Sequence, residues 1–254
     1  FKDGENVLSL TKEEQDMLKM AKDNFENVIV LINSTNALEC DFIENEEYGV
    51  DAVLWIGYTG GWGLNGVADI LTGNANPSGR LVDTYCYDNT TAPAMVGIYG
   101  SDYTNYDPDD KEKWYSVANG QLDGNHHYIT YQEGIYVGYR YYETRYEDVV
   151  MGTENVGDYN YNDTVAYPFG YGLSYTEFEY SDFKTEYNKE TDSFEVSVKV
   201  TNVGDVAGKE VVQIYFQSPY TEYDKENGIE KASVELCGFD KTEILDPGAS
   251  EIVT

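Results

Sequence analysis

The chain has 254 residues, with 47 acidic against 16 basic side chains and a formal charge of −31. That length holds one large domain or two ordinary ones. The negative field repels phosphate backbones and anionic lipid, which argues against nucleic acid and acidic membrane surfaces as partners. No apolar run reaches the ~18 residues of a membrane span, and no signal peptide opens the chain. Cys40, Cys86 and Cys237 are odd in number and widely spaced, so they form no metal motif and no readable disulfide framework, and the compartment stays open. The chain begins without a methionine, as a piece of a longer polypeptide does.

"LTKEEQDMLKMAKDNF" opens with a capping box, Thr11 accepting from the third helical amide and Glu14 reaching back. Leu18, Ala21 and Phe25 then share one helical face. Residues 28–32, "VIVLI", are short, β-branched and uncharged, as a strand buried on both faces is. Residues 37–46 are expected to form a second helix. "VDAVLWIGY" reads as another buried strand. In "LNGVADILTG", Leu64, Val67, Ala68 and Leu71 repeat at helical spacing, and Gly73 can close the helix in the left-handed conformation. Alternating helix and strand predict an α/β layer with a mostly parallel sheet.

Residues 82–170 are rich in Tyr, Asp, Asn and Gly and weakly periodic. "SDYTNYDPDDKEKW" reads as a long polar loop, and "GIYVGYRYYETR" alternates as a strand does. His126 and His127 beside Asp123, and the acidic cluster at 107–110, lack metal-site spacing and read as solvated loops. The 25 tyrosines suit strand packing, sugar faces and wet interfaces. Asn33, Asn89 and Asn162 head N-x-S/T triplets, which arise often by chance.

From about Phe178 the pattern is all-β. In "SFEVSVKVTNVG", Phe194, Val196, Val198 and Val200 point inward and the intervening residues outward. "EVVQIYFQSP" gives a further strand. "KASVELCGFDKTEILDPGASEIVT" gives two more, parted by the Asp246-Pro247-Gly248 turn. Four or five strands are visible where a sandwich of this type has about seven.

The segment "GGWGLNGVADILTGNANPSGRL", residues 60–81, sits where ligands collect in open α/β sheets, after a strand and before a helix. A P-loop needs a lysine and a hydroxyl that are absent here, and a nucleophile elbow needs a serine. Gly61, Gly63 and Gly66 do fit a dinucleotide fingerprint, with Asp83 at the distance of the ribose-binding acid. The bulk of Trp62, where a pyrophosphate would approach, counts against that reading. Tyr58 and Trp62 are instead candidate substrate contacts at the mouth of a cleft; the competing role for Trp62 is packing against a neighbouring domain.

Four blocks then carry a resemblance: "VIVLINSTNALECDFI", "VDAVLWIGYTGGWGLNGVADILTGNANPSGRL", "YVGYRYYETR" and "AYPFGYGLSYTEFEY". In order and spacing they resemble the carboxyl-terminal half of glycoside hydrolase family 3, a family of exo-acting β-glucosidases and β-xylosidases. "VKVTNVGDVAGKEVVQIYF" and "KASVELCGFDKTEILDPGAS" resemble its fibronectin III-like domain. The resemblance implies a three-layer α/β sandwich with a mostly parallel sheet, followed by a truncated all-β fibronectin III-like sandwich. The domains are expected at 1–175, with a Tyr-rich insert around 98–130, and at 176–254.

The same resemblance implies a retaining glycosidase, most simply a β-glucosidase, that uses two carboxyls ~5 Å apart. The nucleophilic aspartate belongs to a (β/α)8 barrel that is not in these residues, so that barrel and a β-glucoside or oligosaccharide are the implied partners. The acid/base glutamate is expected just before Phe1; Glu5 is the nearest carboxylate but lacks the glycine-rich motif. No catalytic residue, metal or cofactor is therefore assigned within the chain, which is expected to be inert alone. Arg80 is expected to pair internally with an acid, and Gly170 and Gly172 to allow close backbone approach. Tyr139, Arg140 and Tyr141 pack or reach a domain interface. An acidic protein acting on oligosaccharides fits an extracellular or cell-surface setting. A non-catalytic carbohydrate-binding or adhesion module of the same fold remains the alternative.

Overall fold

The computed structural model describes residues 8–97, 101–102, 104, 127–153 and 156–254. Helix α1 (Lys12–Asn24) begins with the expected capping box: the Thr11 hydroxyl accepts from the Glu14 amide at 3.3 Å, and the Glu14 carboxylate accepts from the Thr11 amide at 2.8 Å. Leu18 is the residue it buries. Phe25 leaves the apolar face because the backbone turns extended there, and the ring is exposed.

Strands β1 (Ile29–Ile32) and β2 (Ala52–Trp55) pair in parallel, Ile29 opposite Ala52 and Ile32 opposite Trp55. One core gathers Leu18, Ile32, Phe42 and Tyr48, with Val30, Val53 and Trp55 packed against it. The expectation that these strands are buried on both faces is corrected here. Ile29 is 52% and Leu31 40% exposed, and Ala52 is exposed too. Side chains alternate across a strand, so one face meets the core while the other stands open. Helix α2 (Leu64–Leu71) forms where the periodicity placed it, and Gly73 closes it at φ +75°. None of its residues is buried.

The helix expected over 37–46 does not form. Its amides have tertiary partners instead: Glu39 N–H donates to the Leu8 carbonyl and Cys40 N–H to the Cys86 carbonyl. Only isolated turns remain, such as Ile43 N–H to the Cys40 carbonyl. Strand β3 (Tyr85–Cys86) pairs antiparallel with β6 (Val165–Tyr167), and β4 (Ser101–Asp102) with β5 (His127–Tyr128). Asp123, His126 and the cluster at 107–110 lie outside the described residues, as does most of the polar loop that begins at Ser101.

"GIYVGYRYYETR", expected as a strand, is a turn and loop over residues 134–138 and a helix from Tyr139. Helix α3 (Tyr139–Met151) starts after Gly138 at φ +60° and ends at Gly152 in the left-handed conformation. Tyr142 is its buried residue and packs on Cys86 and Val165, and the one-turn helix α4 (Tyr161–Thr164) adds Tyr161.

The remaining strands are β7 (Phe178–Asn188), β8 (Ser193–Asn202), β9 (Val211–Phe216), β10 (Glu235–Lys241) and β11 (Ser250–Val253). They form two antiparallel sheets, β11-β8-β7 and β10-β9, with helix α5 (Glu222–Asn227) between β9 and β10. Both sheets feed one core of Val198, Val200, Val212, Leu245 and Val253. Val198 and Val200 point inward as the alternation predicts; Val196 is half-buried. Phe194 does not follow: it is 71% exposed and rests on Tyr187 at 5.2 Å between ring centres, beside the turn of the β7–β8 hairpin. Asn202, fully buried, accepts from the Thr176 hydroxyl and donates to the Val206 and Leu245 carbonyls, so its desolvated amide is satisfied. The Asp246-Pro247-Gly248 turn returns the Gly248 amide to the Asn202 carbonyl at 2.9 Å.

Two seams join the α/β and β parts. In the first, Arg80 of "NPSGRL" pairs with Glu210, as expected of a buried guanidinium. The other Glu210 oxygen accepts from Tyr180 at 2.7 Å. A Cβ on Gly172 would lie 2.4 Å from the Gly79 carbonyl oxygen, and Gly170 takes φ +83°, so glycine is required at both positions of this approach. In the second seam, the Tyr139 hydroxyl accepts from the Leu236 amide at 2.8 Å, its ring stacks on Phe169 at 4.6 Å, and Arg140 pairs with Glu235 at 3.2 Å.

Candidate functional site

Because β1 and β2 run parallel, the loops that follow them leave the sheet at the same edge. That is the carboxyl edge, where α/β sheets bind ligands. The two loops are tied together: the Trp55 indole N–H donates to the Ser34 carbonyl at 2.9 Å, and the Ile56 amide donates to the Ile32 carbonyl at 2.9 Å. Within the first loop the Ser34 hydroxyl accepts from the Asn36 amide at 3.1 Å.

The second loop, 56–63, owes its course to glycine. Gly57 and Gly60 have φ near +51° and +60°, a region L side chains avoid. The Gly63 amide closes a turn onto the Thr59 carbonyl at 3.0 Å, and a Cβ on Gly63 would meet that oxygen at 2.2 Å. The loop leaves Tyr58 88% and Trp62 87% exposed. The structure therefore places Tyr58 and Trp62 on one loop at the carboxyl edge of the β1–β2 pair. Asn33 and Asn36, on the adjoining loop, are exposed as well; their position beside the aromatic loop depends on sheet pairing, which no local motif reveals.

The dinucleotide alternative finds no support. A fingerprint glycine at 66 would serve close helix–strand packing, yet a Cβ there would meet nothing within 4 Å, and the same holds at Gly61. The Asp83 Oδ1 accepts from the adjacent Thr84 amide at 2.9 Å. Nucleophilic cysteine chemistry is equally unsupported: burial pushes the Cys40 thiol up to about 12 and also raises Cys86, so both stay protonated at neutral pH. Among the described residues no group of three or more His, Cys, Asp or Glu side chains could hold a metal ion, and no helix is long and apolar enough to cross a membrane. Glu5 lies outside the described residues. Asn89 is buried, so its triplet is closed to modification. Two clefts open in the β part, of about 380 and 260 Å³; each carries a single carboxylate in its lining, Asp182 and Asp240 respectively.

Comparison with known proteins places this architecture. The glycosyl hydrolase family 3 C-terminal domain matches residues 2–139. A beta-glucosidase of Ruminococcus albus is 36% identical over 245 residues, covering 96% of this chain and 20% of that protein. Beta-glucosidase A of Butyrivibrio fibrisolvens is 33% identical over 258 residues, covering 96% of this chain and 26% of that protein. Beta-glucosidase 3B of Thermotoga neapolitana, solved in complex with glucose, superposes with a TM-score of 0.70 at 32% identity, over 99% of this chain and 29% of that one. A beta-glucosidase of Paenibacillus barengoltzii superposes with a TM-score of 0.72 at 31% identity, over 96% and 22%. The chain thus spans 20–26% of the length of these curated relatives. With the family's domain matched over more than half its length and its relatives aligned nearly end to end, the chain belongs to glycosyl hydrolase family 3 and carries that family's C-terminal domain.

Proposed function

We propose that this chain is the C-terminal portion of a retaining, exo-acting β-glucosidase that removes a terminal glucose from β-linked substrates. The observation that carries this reading is the 36% identity to a beta-glucosidase across 96% of the chain. The nucleophile and the acid/base carboxyl come from outside the described residues: an aspartate from a (β/α)8 barrel, and a glutamate from the segment leading into Phe1. What this chain supplies is one wall of the cleft, the carboxyl edge of the β1–β2 pair with Tyr58 and Trp62 on it. The two seams around Arg80–Glu210 and Tyr139–Leu236 hold that wall against the β part.

The finer architecture belongs to the same proposal. Residues 1–175 form a three-layer α/β sandwich; the open face at Ile29 and Leu31 supports a further layer covering the β1–β2 sheet. Residues 176–254 form a fibronectin III-like sandwich, supported by five strands in two sheets around one core.

The test compares the full-length polypeptide with this chain alone on a panel of aryl β-glycosides. Full-length protein hydrolyses the β-glucoside with retention of anomeric configuration, and the chain alone does not. Hydrolysis by the chain alone, or sugar binding without hydrolysis by the full-length protein, would overturn the reading; the second result identifies a carbohydrate-binding module.

A further inference from the structure

We propose that Trp55 is a positioning residue for the reaction: one indole, rooted in the core, sets both loops of the cleft wall, 33–36 after β1 and 56–63 after β2. The proposal rests on the glucosidase reading above and deepens it.

Trp55 is the last residue of β2 and pairs with Ile32, the last of β1. One more backbone bond, from the Ile56 amide to the Ile32 carbonyl, ends the ladder. Past that point the Trp55 side chain makes the crossing, its indole N–H donating to the Ser34 carbonyl at 2.9 Å. Ser34 is the pivot of its own loop, because its hydroxyl accepts from the Asn36 amide at 3.1 Å. Fixing the Ser34 carbonyl therefore fixes the turn that follows β1.

The same ring supports the second loop. Gly57 is buried at φ +51°, and a Cβ there would lie 3.5 Å from Cζ2 and Cη2 of Trp55. The chain thus leaves β2 in contact with the benzo ring of the indole. Trp55 also packs against the core of Leu18, Ile32, Phe42 and Tyr48. A core role uses the ring alone. The N–H is spent on a loop carbonyl at the carboxyl edge, where α/β sheets bind ligands. Both loops of the wall hence take their place from one side chain that the core holds, and a displacement of about 1 Å at a site can cost up to ~100-fold in rate.

The experiment uses the full-length polypeptide in four forms: wild type, Trp55→Phe, the protein with benzothienylalanine at position 55, and Leu18→Ala. Benzothienylalanine keeps the shape of the indole and replaces its N–H by sulfur, so it deletes the hydrogen bond and leaves the packing. Leu18→Ala damages the same core from α1 without touching either loop. Hydrolysis of an aryl β-glucoside and amide hydrogen exchange are measured on each. The benzothienylalanine enzyme loses kcat/KM on the order of tenfold, and the Asn36 amide exchanges faster. Trp55→Phe loses more, and exchange rises in both the 33–36 and the 56–63 loops. Leu18→Ala lowers the melting temperature at least as far, yet stays within about twofold of wild type in kcat/KM. A benzothienylalanine enzyme within about twofold of wild type, or a Leu18→Ala loss equal to that of Trp55→Phe, overturns the proposal and leaves Trp55 a packing residue in an intact glucosidase. A wild type that hydrolyses no β-glucoside removes the glucosidase reading, and the positioning role with it.

Discussion

The Arg80 guanidinium and the Glu210 carboxylate, 130 residues apart in sequence, form a shielded ion pair between the α/β and β parts. Their side chains are 13% and 9% exposed, and the second carboxylate oxygen is taken by Tyr180. Removing one partner strands a buried charge, which costs about 3–5 kcal/mol. Glu210→Ala is therefore strongly destabilising in urea unfolding, and Glu210→Gln less so because it still accepts from Tyr180. The apolar double replacement Arg80→Met with Glu210→Leu recovers much of the loss, since it removes both desolvation penalties. A Glu210→Ala variant within about 1 kcal/mol of wild type contradicts a buried, uncompensated Arg80.

Two glycines give opposite outcomes on substitution. Gly172→Ala drives a methyl group to 2.4 Å from the Gly79 carbonyl oxygen and 2.8 Å from the Arg80 guanidinium, so the first seam must open. Overpacking of this kind costs about 1–3 kcal/mol. Gly66→Ala sits within α2, has nothing within 4 Å of the new methyl and shows no left-handed φ. It stabilises by about 0.5–1 kcal/mol, the helix propensity difference. Calorimetry on both variants checks the pair; a shift of the same sign in both contradicts the close approach at residue 172.

The elements that depend on nearest neighbours were legible. Thr11 and Glu14 needed only each other, and Gly73 needed only the end of α2. The pairing of Arg80 with some acid followed from the cost of burying its charge, but no local signal pointed to Glu210 across 130 positions. The misread elements are those where tertiary contacts overrode local pattern. "YRYYETRY" carries Tyr139, Tyr142 and Tyr146 at helical spacing while also alternating, and tyrosine's strand propensity favoured the wrong period. The packing of Tyr142 against Cys86 and Val165 decided for the helix. Residues 37–46 lost their helix because Glu39 and Cys40 bonded to distant backbone, and the Glu39 carboxylate accepts from the Asn89 amide at 2.9 Å. For the candidate site, the exposure of Tyr58 and Trp62 could be anticipated from the flanking glycines. The neighbouring Asn33 and Asn36 could be placed there only once the parallel register was known.

Thiol chemistry separates the three cysteines. Cys40 and Cys86 are 1% and 0% exposed, and burial raises both thiols, Cys40 to about 12. Cys237 is exposed on β10. Titration with a chromogenic disulfide at neutral pH thus modifies one thiol quickly, and the other two only when denaturant is added. Peptide mapping locates the fast label at Cys237. Rapid labelling of Cys40 or Cys86 in native protein is inconsistent with their burial in the α/β part.

Alkaline stability follows from the tyrosines. Burial, first among the causes, raises the Tyr85, Tyr167 and Tyr215 phenols to about 12, and those of Tyr142, Tyr159, Tyr161 and Tyr180 further still. Tyr161 and Tyr180 are also held protonated by donating to Glu143 and Glu210. In the unfolded chain a phenol ionises near 10. A folded pKa above the unfolded one means that the native state retains its protons when the unfolded state loses them. The stabilisation is complete below about pH 10 and is lost as pH climbs from there through 12. Absorbance of the phenolate band on a pH ramp follows the raised set, which ionises late and together with loss of the native circular dichroism. Tyr180→Phe deletes one late proton and the hydrogen bond to Glu210, so it lowers stability at neutral pH and flattens the alkaline slope. A single titration centred near pH 10 for all the tyrosines, with structure intact, would show that the packing around α3 and β7 does not desolvate them.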